Sequence, residues 1–583
     1  MHLLALRVWA SENLQFSDLQ KTLLWAGVIG VIGGFSSVLF LDFIAFLNQC
    51  FTGHSAGIVE SFEGLTKWRR LVIPAIGGVL AGATILLGRR LGQSRHTTDY
   101  MEAVVLGDGL LSARSSLTKC VSAAFSIASG GSIGREGPIV QLSALLASLS
   151  GRLRGWSAPR RRMIVACGAA AGIASAYNAP LAGALFVAEI VLGSISMDTM
   201  GPLVVSSVLA TQVVRHFHGS MPLYDIPLFE LRSTWELSLY LLLGIVAGLA
   251  APLFLSSLRW SEKAFDRLNL PLYWKLGIGG LIVGALAIWY PQVCGNGYSV
   301  VVGILNQKWP WTALAILCLM KMLATCATFG SGAVGGVFTP TLFTGACLGY
   351  LFGGLLQLFG HGAVPTPGGF ALVGMGAFLA AATHAPIMAI LIVFELTLDY
   401  QIILPLMLGC VVAFYVSNAI CRNSIYSESL QRKKAQERRE PMGSLKAADL
   451  MRPGPAHIRE DSRFSEIAHV FIMNDIKYLF VTDKENRFKG AVALHDIKPY
   501  LTMPELANLV IAKEIARADI PTLTRSTTLD EAMNLFVRHG GERLPVVENA
   551  ENPLLIGSVS KMDVILAMAQ ITNSDALNHE EAP

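Results

Sequence analysis

The sequence is poor in charge. Of its 583 residues only 15% are Asp, Glu, Lys or Arg, against roughly 25% in soluble domains, so the chain is too apolar to be soluble throughout. Hydrophobic residues make up 53% and the mean hydropathy is +0.52, which marks a membrane protein. Net charge is also small, with 45 basic against 41 acidic residues giving +4, too little to suggest a nucleic-acid partner. The nine cysteines (Cys50, Cys120, Cys167, Cys294, Cys318, Cys326, Cys347, Cys410 and Cys421) form no C-x-x-C pair and lie at no zinc spacing to histidine. No metal is expected, and they read as small buried apolar residues. The amino-terminal segment 1–22 lacks the charged n-region and cleavage site of a secretory signal, so it is expected to stay in the cytoplasm.

What the chain has in abundance is apolar segments. Between Leu23 and about Val416 they are broken by Gly, Pro and short charged loops, with helices expected near 23–50, 71–91, 116–130, 138–151, 162–175, 179–193, 201–216, 236–257, 274–290, 311–328, 339–358, 368–382, 385–397 and 402–421. A simple spanning helix needs about 20 apolar residues. Several of these are shorter, which implies helices that stop inside the membrane, tolerated only where protein or a polar cavity satisfies their backbone ends. After Arg422 the character changes. Arg432-Lys433-Lys434 and Arg438-Arg439 form a basic linker, and short β-rich strings such as Tyr478-Leu479-Phe480-Val481 follow. Basic residues just past a last membrane helix favour the cytoplasmic side. The expected organisation is a membrane domain over 23–425, a linker over 426–444, two soluble α/β modules over 445–507 and 508–572, and a tail over 573–583.

Two internal repeats support that division. Gly168, Ala171, Ala174, Ala176, Ala179, Pro180 and Glu189 match Gly374, Ala377, Ala380, Ala382, Ala385, Pro386 and Glu395 at a constant offset of 206 residues. Membrane transporters are often built from two such halves, with the substrate site at discontinuous helices between them. In the tail, Leu479 and Val481 match Leu544 and Val546, while Gly490 and Asp496 match Gly557 and Asp563 two residues out of step.

Gly130-Gly131-Ser132-Ile133-Gly134-Arg135-Glu136-Gly137-Pro138 places two ionisable residues amid apolar sequence. An acid at membrane depth is costly and therefore a functional candidate. Pro138 suits a first helical turn, whose unpaired amides and positive dipole end favour an anion. A second break, Gly335-Gly336-Val337-Phe338-Thr339-Pro340, repeats this grammar. Two such helix starts converging at mid-membrane would bind a small anion weakly enough to release it. The competing reading is a pair of Gly-rich interfacial loops with Glu136 among lipid headgroups. The G-x-G-x-x-G match at Gly330 to Gly335 is rejected as a dinucleotide site, because no acid occurs between it and Glu395 and its flanks are membrane-length apolar runs.

At these residues the chain resembles the CLC family of chloride channels and chloride/proton exchangers. The carriers are Gly134-Arg135-Glu136-Gly137-Pro138, Gly336-Val337-Phe338-Thr339-Pro340, the Asn178-Ala179-Pro180 run and Ser424-Ile425-Tyr426. The likeness spans about 23–430, and the tail resembles a tandem pair of CBS domains. It implies a mainly α polytopic membrane fold with two inverted repeats and broken helices, carrying a C-terminal α/β tandem. It also implies that Glu136 is the gate carboxylate, competing with chloride for a path lined by Gly134, Arg135 and Gly137. The amides of Val337 and Phe338 would hold the central anion, with the Tyr426 hydroxyl as a further donor. Where many members carry a chloride-binding serine, this chain reads Ser94 to Tyr100, and Thr97 or Thr98 is the substitute. The proton-relay glutamate of coupled members falls on Ile190, one residue after Glu189. Glu189 and Glu395 are expected to cap neighbouring helix ends. The expectation is therefore channel-like or weakly proton-coupled chloride transport, with a chloride/proton antiporter as the alternative. The resemblance further implies a homodimer and, at Ser560 and Asp563, an adenine-nucleotide site whose first copy offers Ala493 and Asp496. A bacterial inner membrane with both termini cytoplasmic is the expected setting. An enzyme is not expected, since no nucleophile–base spacing accompanies Glu136. A membrane-anchored nucleotide sensor is a more distant alternative.

Overall fold

In a hydrocarbon layer no water is present to meet backbone amides and carbonyls, so each apolar segment must satisfy them within itself. The computed structural model describes residues 18–90, 97, 99–220, 224, 229, 233–306, 309–359, 366–426, 446–474, 476–501, 509–549 and 551–567. It divides into one unit up to Leu430 and a second from Gln431 onward.

The first unit is helical. Its helices are α1 (Asp18–Thr52), α2 (Ile58–Glu63), α3 (Lys67–Arg90), α4 (Tyr100–Val105), α5 (Ala113–Ala128), α6 (Glu136–Leu153), α7 (Ala158–Tyr177), α8 (Pro180–Phe186), α9 (Met197–His218), α10 (Glu236–Asp266), α11 (Leu272–Trp289), α12 (Tyr298–Asn306), α13 (Trp311–Gly330), α14 (Phe338–Phe359), α15 (Pro367–Thr383), α16 (Pro386–Thr397) and α17 (Ile403–Ile420). Among the described residues, eight helices are long and apolar enough to cross a membrane, while α15 and α16 are apolar but too short. Trp68, Trp289 and Trp311 lie exposed at helix ends, where an amphipathic ring suits a membrane–water interface.

The structure departs from expectation in three places. Helices α2, α4 and α12 are too short to register as apolar runs. Helix α10 continues to Asp266 because the turns after Ser256 are amphipathic rather than broken. The segment 179–193 is not one helix: α8 ends at Phe186, and Val187–Leu192 follows as a π-helix. Glu189 and Ile190 both lie in this π turn, which bonds i to i+5 and advances less per residue than an α-helix.

The repeat is visible in the backbone. Helix α7 ends at Asn178 with φ 57° and α15 at His384 with φ 59°, both left-handed. Each is followed by an alanine at nearly the same angles, Ala179 at φ −127°, ψ 86° and Ala385 at φ −128°, ψ 77°. Proline then opens α8 or α16, its missing N–H being no loss in a first turn. The matched glycines let backbones touch. A Cβ on Gly168 would lie 2.8 Å from the Ser143 carbonyl of α6, and one on Gly374 would lie 2.5 Å from the Gly345 carbonyl of α14. Small residues permit such close helix pairs in membranes.

The glutamates exchange between halves. Glu395, near the end of α16, accepts hydrogen bonds from the Leu181 and Ala182 amides of α8 at 2.9 and 2.8 Å. Glu189 in turn accepts from the Ile387 and Met388 amides of α16 at 3.3 and 2.8 Å. Each acid therefore caps the helix start of the opposite half.

In the second unit, β2 (His457–Arg459) pairs parallel with β3 (Tyr478–Thr482), which pairs antiparallel with β4 (Phe488–Ala493). The second module repeats this with β5 (Leu523–Thr524), β6 (Arg543–Val547) and β7 (Leu555–Ser560), and β1 (Arg452–Pro453) extends that sheet beside β7. Matched residues occupy matched places, Leu479 facing Val492 as Leu544 faces Val559. Phe480, Phe488, Ala491, Val547 and Leu555 form an apolar cluster shared by the two modules.

Replacing Glu395 by Ala leaves two helix-start amides without their acceptor and should destabilise the membrane unit by about 1–3 kcal/mol. The thermal midpoint in detergent should fall, and Glu189→Ala should produce a similar drop. An unchanged midpoint in both would show that the caps carry no stability.

Candidate functional site

The two glycine-rich breaks meet. The Gly134 amide donates to the Gly336 carbonyl at 2.6 Å, and the Gly336 amide donates back to Gly134 at 3.0 Å. Helix α6 leaves one strand of this bridge and α14 leaves the other. The first-turn amides of both helices have no acceptor within their own helix, and both positive dipole ends open on the same place.

A polar stripe on α13 holds the first break in position. Thr328 Oγ1 accepts from the Ser132 amide at 3.2 Å, and Thr325 Oγ1 meets Ser132 Oγ at 3.1 Å. Lys321, one turn earlier and fully buried, donates to the carbonyls of Val293 and Gly295 at 2.9 and 2.7 Å. The Gly295 amide in turn donates to the Gly130 carbonyl at 3.2 Å. The buried ammonium thus fastens a turn that is itself tied to the start of the break, and it lies 5.4 Å from the Phe343 ring.

Glu136 is the first residue of α6 and only 2% exposed. Its Oε1 accepts from the Tyr177 hydroxyl at 2.7 Å, and that hydroxyl lies 3.3 Å from Thr339 Oγ1 on α14. A Cβ on Gly134 would overlap the carboxylate, and one on Gly336 would stand 2.8 Å from it. A side chain at either position would push the carboxylate from the place it occupies here. Gly137 sits beside the Gly336 amide. The Arg135 guanidinium lies 5.3 Å from the Tyr298 ring centre, and the Tyr224 ring lies tilted 6.2 Å from Tyr298. Glu136 Oε2, Arg135 Nε and the Tyr224 hydroxyl are buried without a hydrogen-bond partner among the described residues. Buried polar groups are rarely left so unless water or an ion meets them.

Below the carboxylate runs a line of rings. Tyr177 packs 5.0 Å from Phe338, Phe338 lies 6.4 Å from Phe186, and Phe186 lies 5.5 Å edge-on from Tyr426. Val337 and Phe338, whose amides open α14, are 4% and 1% exposed. Gly134, Arg135, Glu136, Gly137, Val337, Phe338 and Tyr426 thus share one neighbourhood.

Other expected residues stand apart. The Thr97 hydroxyl donates to the Leu110 carbonyl at 2.6 Å in a bridge with Leu111. Thr98 lies outside the described residues. Ile190 packs half-buried against the core from the π turn, while both Glu189 oxygens are engaged by α16. Sequence reasoning missed Tyr177, Thr339 and the α13 stripe. The visible signals among them were Lys321, a lone cation in an apolar run, and Thr339, which sits inside the second break. The G-x-G-x-x-G stretch joins α13 to α14, two helices, and no strand precedes it.

In the tail, Ser560 Oγ accepts from the Asp563 amide at 3.0 Å, and Asp563 pairs with Arg452 at 3.1 Å. Asp496 accepts from the Ala493 amide at 3.0 Å and pairs with Arg517 at 2.6 Å. Asp563 Oδ2 is a buried acceptor without a partner among the described residues, and the position of Ser560 is taken in the first module by Ala493, which has no hydroxyl. Among the described residues no cluster of metal-ligating side chains occurs.

The chain is similar to known proteins in sequence and fold. The profile of the voltage gated chloride channel family matches residues 86–418, and that of the CBS domain matches 447–502 and 512–570. A ClcB-like chloride channel protein of Ralstonia nicotianae is 48% identical over 423 residues, 72% of this chain and 99% of its own length. The voltage-gated ClC-type chloride channel ClcB of Escherichia coli is 38% identical over 414 residues, 70% of this chain and 98% of its own. The crystal structure of a slow cyanobacterial Cl−/H+ antiporter superposes with a TM-score of 0.63 at 27% identity, over 71% of this chain and 98% of that one.

Thr328→Val keeps the shape of the side chain but leaves the buried Ser132 amide without an acceptor, which should cost about 1–3 kcal/mol. Thr344→Val removes only a bond to the Pro340 carbonyl of its own helix and should cost less. Equal thermal midpoints for the two variants would show that α13 does not brace the break.

Proposed function

Because the chain belongs to the voltage gated chloride channel family, we propose that it carries chloride across a bilayer where its two broken helices meet, with the Glu136 carboxylate as the gate. The observation that carries this reading is the reciprocal Gly134–Gly336 pairing, which turns two helix starts onto one buried carboxylate. A chloride ion and a carboxylate bear the same charge and suit the same unpaired amides, so one displaces the other. Ionised, Glu136 occupies the path. Protonated, it loses its attraction for the positive helix ends and gives way. The amides of Val337 and Phe338 hold the central anion, with Tyr426 as a hydroxyl donor, and no metal takes part.

Transport is channel-like or weakly coupled to protons. Ile190 supplies no titratable group where coupled members have one, and Glu189 is committed to the start of α16. A proton crossing an apolar interior needs titratable groups or water at short intervals. A chloride/proton antiporter is the second reading, favoured by the 27% identity to the cyanobacterial antiporter. We place the protein as a homodimer in a bacterial inner membrane, termini cytoplasmic, with adenine nucleotide binding at Ser560 and Asp563 in the tail.

The test is flux from purified protein in liposomes with simultaneous pH recording. Chloride should move down its gradient, faster at acidic external pH, and drive little uphill proton movement. Glu136→Gln, which cannot ionise, should flatten the pH dependence. A fixed chloride-to-proton stoichiometry would establish the antiporter reading, and an unchanged pH profile in Glu136→Gln would remove Glu136 from the gate.

A further inference from the structure

We propose that Tyr177 is the latch of the gate, a positioning residue whose hydroxyl holds the Glu136 carboxylate in the anion path between passages. This rests on the reading of Glu136 as the gate and adds the part that decides how firmly it closes.

The geometry leaves the tyrosine little freedom. It is the last residue of α7 and 1% exposed, with its ring against Phe338 at 5.0 Å. The next residue, Asn178, turns the chain away in a left-handed conformation, and Arg215 Nε anchors that turn by donating to Asn178 Oδ1 at 2.7 Å. The hydroxyl is thereby aimed at Glu136 Oε1, 2.7 Å away. A tyrosine hydroxyl has one proton to give. With that proton on the carboxylate, the 3.3 Å contact to Thr339 runs the other way, the threonine donating to the tyrosine oxygen. Thr339 is fully buried in the first turn of α14. The chain Thr339, Tyr177, Glu136 therefore ties the gate of one broken helix to the start of the other. A donor to a charged oxygen is about twice as strong as one between neutral groups, so the hydroxyl favours the ionised, closed position. The other charged or titratable groups facing Glu136 are Arg135 on its own segment, Tyr224, Tyr298 and Tyr426.

The repeat argues that this tyrosine is not demanded by the fold. Its mate at offset 206 is Thr383, likewise buried at the end of its helix, whose hydroxyl returns to the Leu379 carbonyl of the same helix at 2.8 Å. The break in that half carries no acid. The phenol occurs in the half that has a carboxylate to hold.

The test uses full-length protein in liposomes, with chloride flux measured against external pH. Tyr177→Phe keeps the ring and removes the donor. Flux at alkaline pH should rise by about tenfold toward an unchanged acidic plateau, so that half-maximal flux occurs at a more alkaline pH. In a Glu136→Gln background the same substitution should alter nothing. Thr339→Val should shift the profile the same way by less, and it carries the test if Tyr177→Phe does not fold. A wild-type pH profile in Tyr177→Phe, or an equal change in both backgrounds, would overturn the latch, the second being what a packing role produces. Absence of chloride flux from the wild-type protein would overturn the transport reading and the latch together.

Discussion

A helix that stops inside a membrane must find partners for its end, and here the two ends that matter find each other. The paired Gly134 and Gly336 backbones satisfy one amide and one carbonyl of each break, where water cannot. Much else follows from that contact. Glycine leaves room for the carboxylate in this position, the remaining first-turn amides of α6 and α14 face a common space, and the Ser132 amide must be met from outside, which α13 does.

Four helices in this unit begin within the membrane domain after a break, and the protein treats them in two ways. The starts of α8 and α16 are closed by Glu395 and Glu189, each reaching across from the other half. A carboxylate bonded to two amides satisfies both the donors and the dipole, so these ends have no remaining appetite for an anion. Among the described residues, no carboxylate reaches across to bond two amides at the starts of α6 and α14. Their acid, Glu136, belongs to the helix start itself and accepts from a tyrosine hydroxyl. The same electrostatics thus builds structure at one pair of helix ends and, in the proposed mechanism, a movable gate at the other.

The soluble unit uses a related economy. In each module a bond ties the turn after the last strand, Asp496 accepting from the Ala493 amide in one and Ser560 accepting from the Asp563 amide in the other, and each aspartate is paired with an arginine, Arg517 in the first and Arg452 of β1 in the second. Those arginines, Arg517 and Arg452, sit at corresponding places before the strands of the second and first modules. The duplication therefore extends to ion pairs that no single strand motif displays.

The sequence by itself determined the class of protein, the tandem soluble modules, the two breaks and the 206-residue repeat. Each of these depends on composition or on spacing along one chain, and helices in a membrane must follow their apolar segments. It also pointed to Glu189 and Glu395 as caps, because an acid is costly in lipid without a donor, but not to their exchange between halves. The tertiary structure alone decided which side chains share a space. Tyr177 lies 41 residues from Glu136, and Thr339 is a further 162 from Tyr177; Thr339 falls within the second break and Tyr177 just before Asn178, but neither position shows that the two hydroxyls meet the carboxylate. Thr97 had the right chemistry and the right neighbourhood in sequence, yet its hydroxyl folds back onto Leu110. The π turn at Val187–Leu192 likewise has no periodic signature. Such contacts are set by how separate helices pack within a few ångströms, and a linear pattern records order along the chain but not that distance.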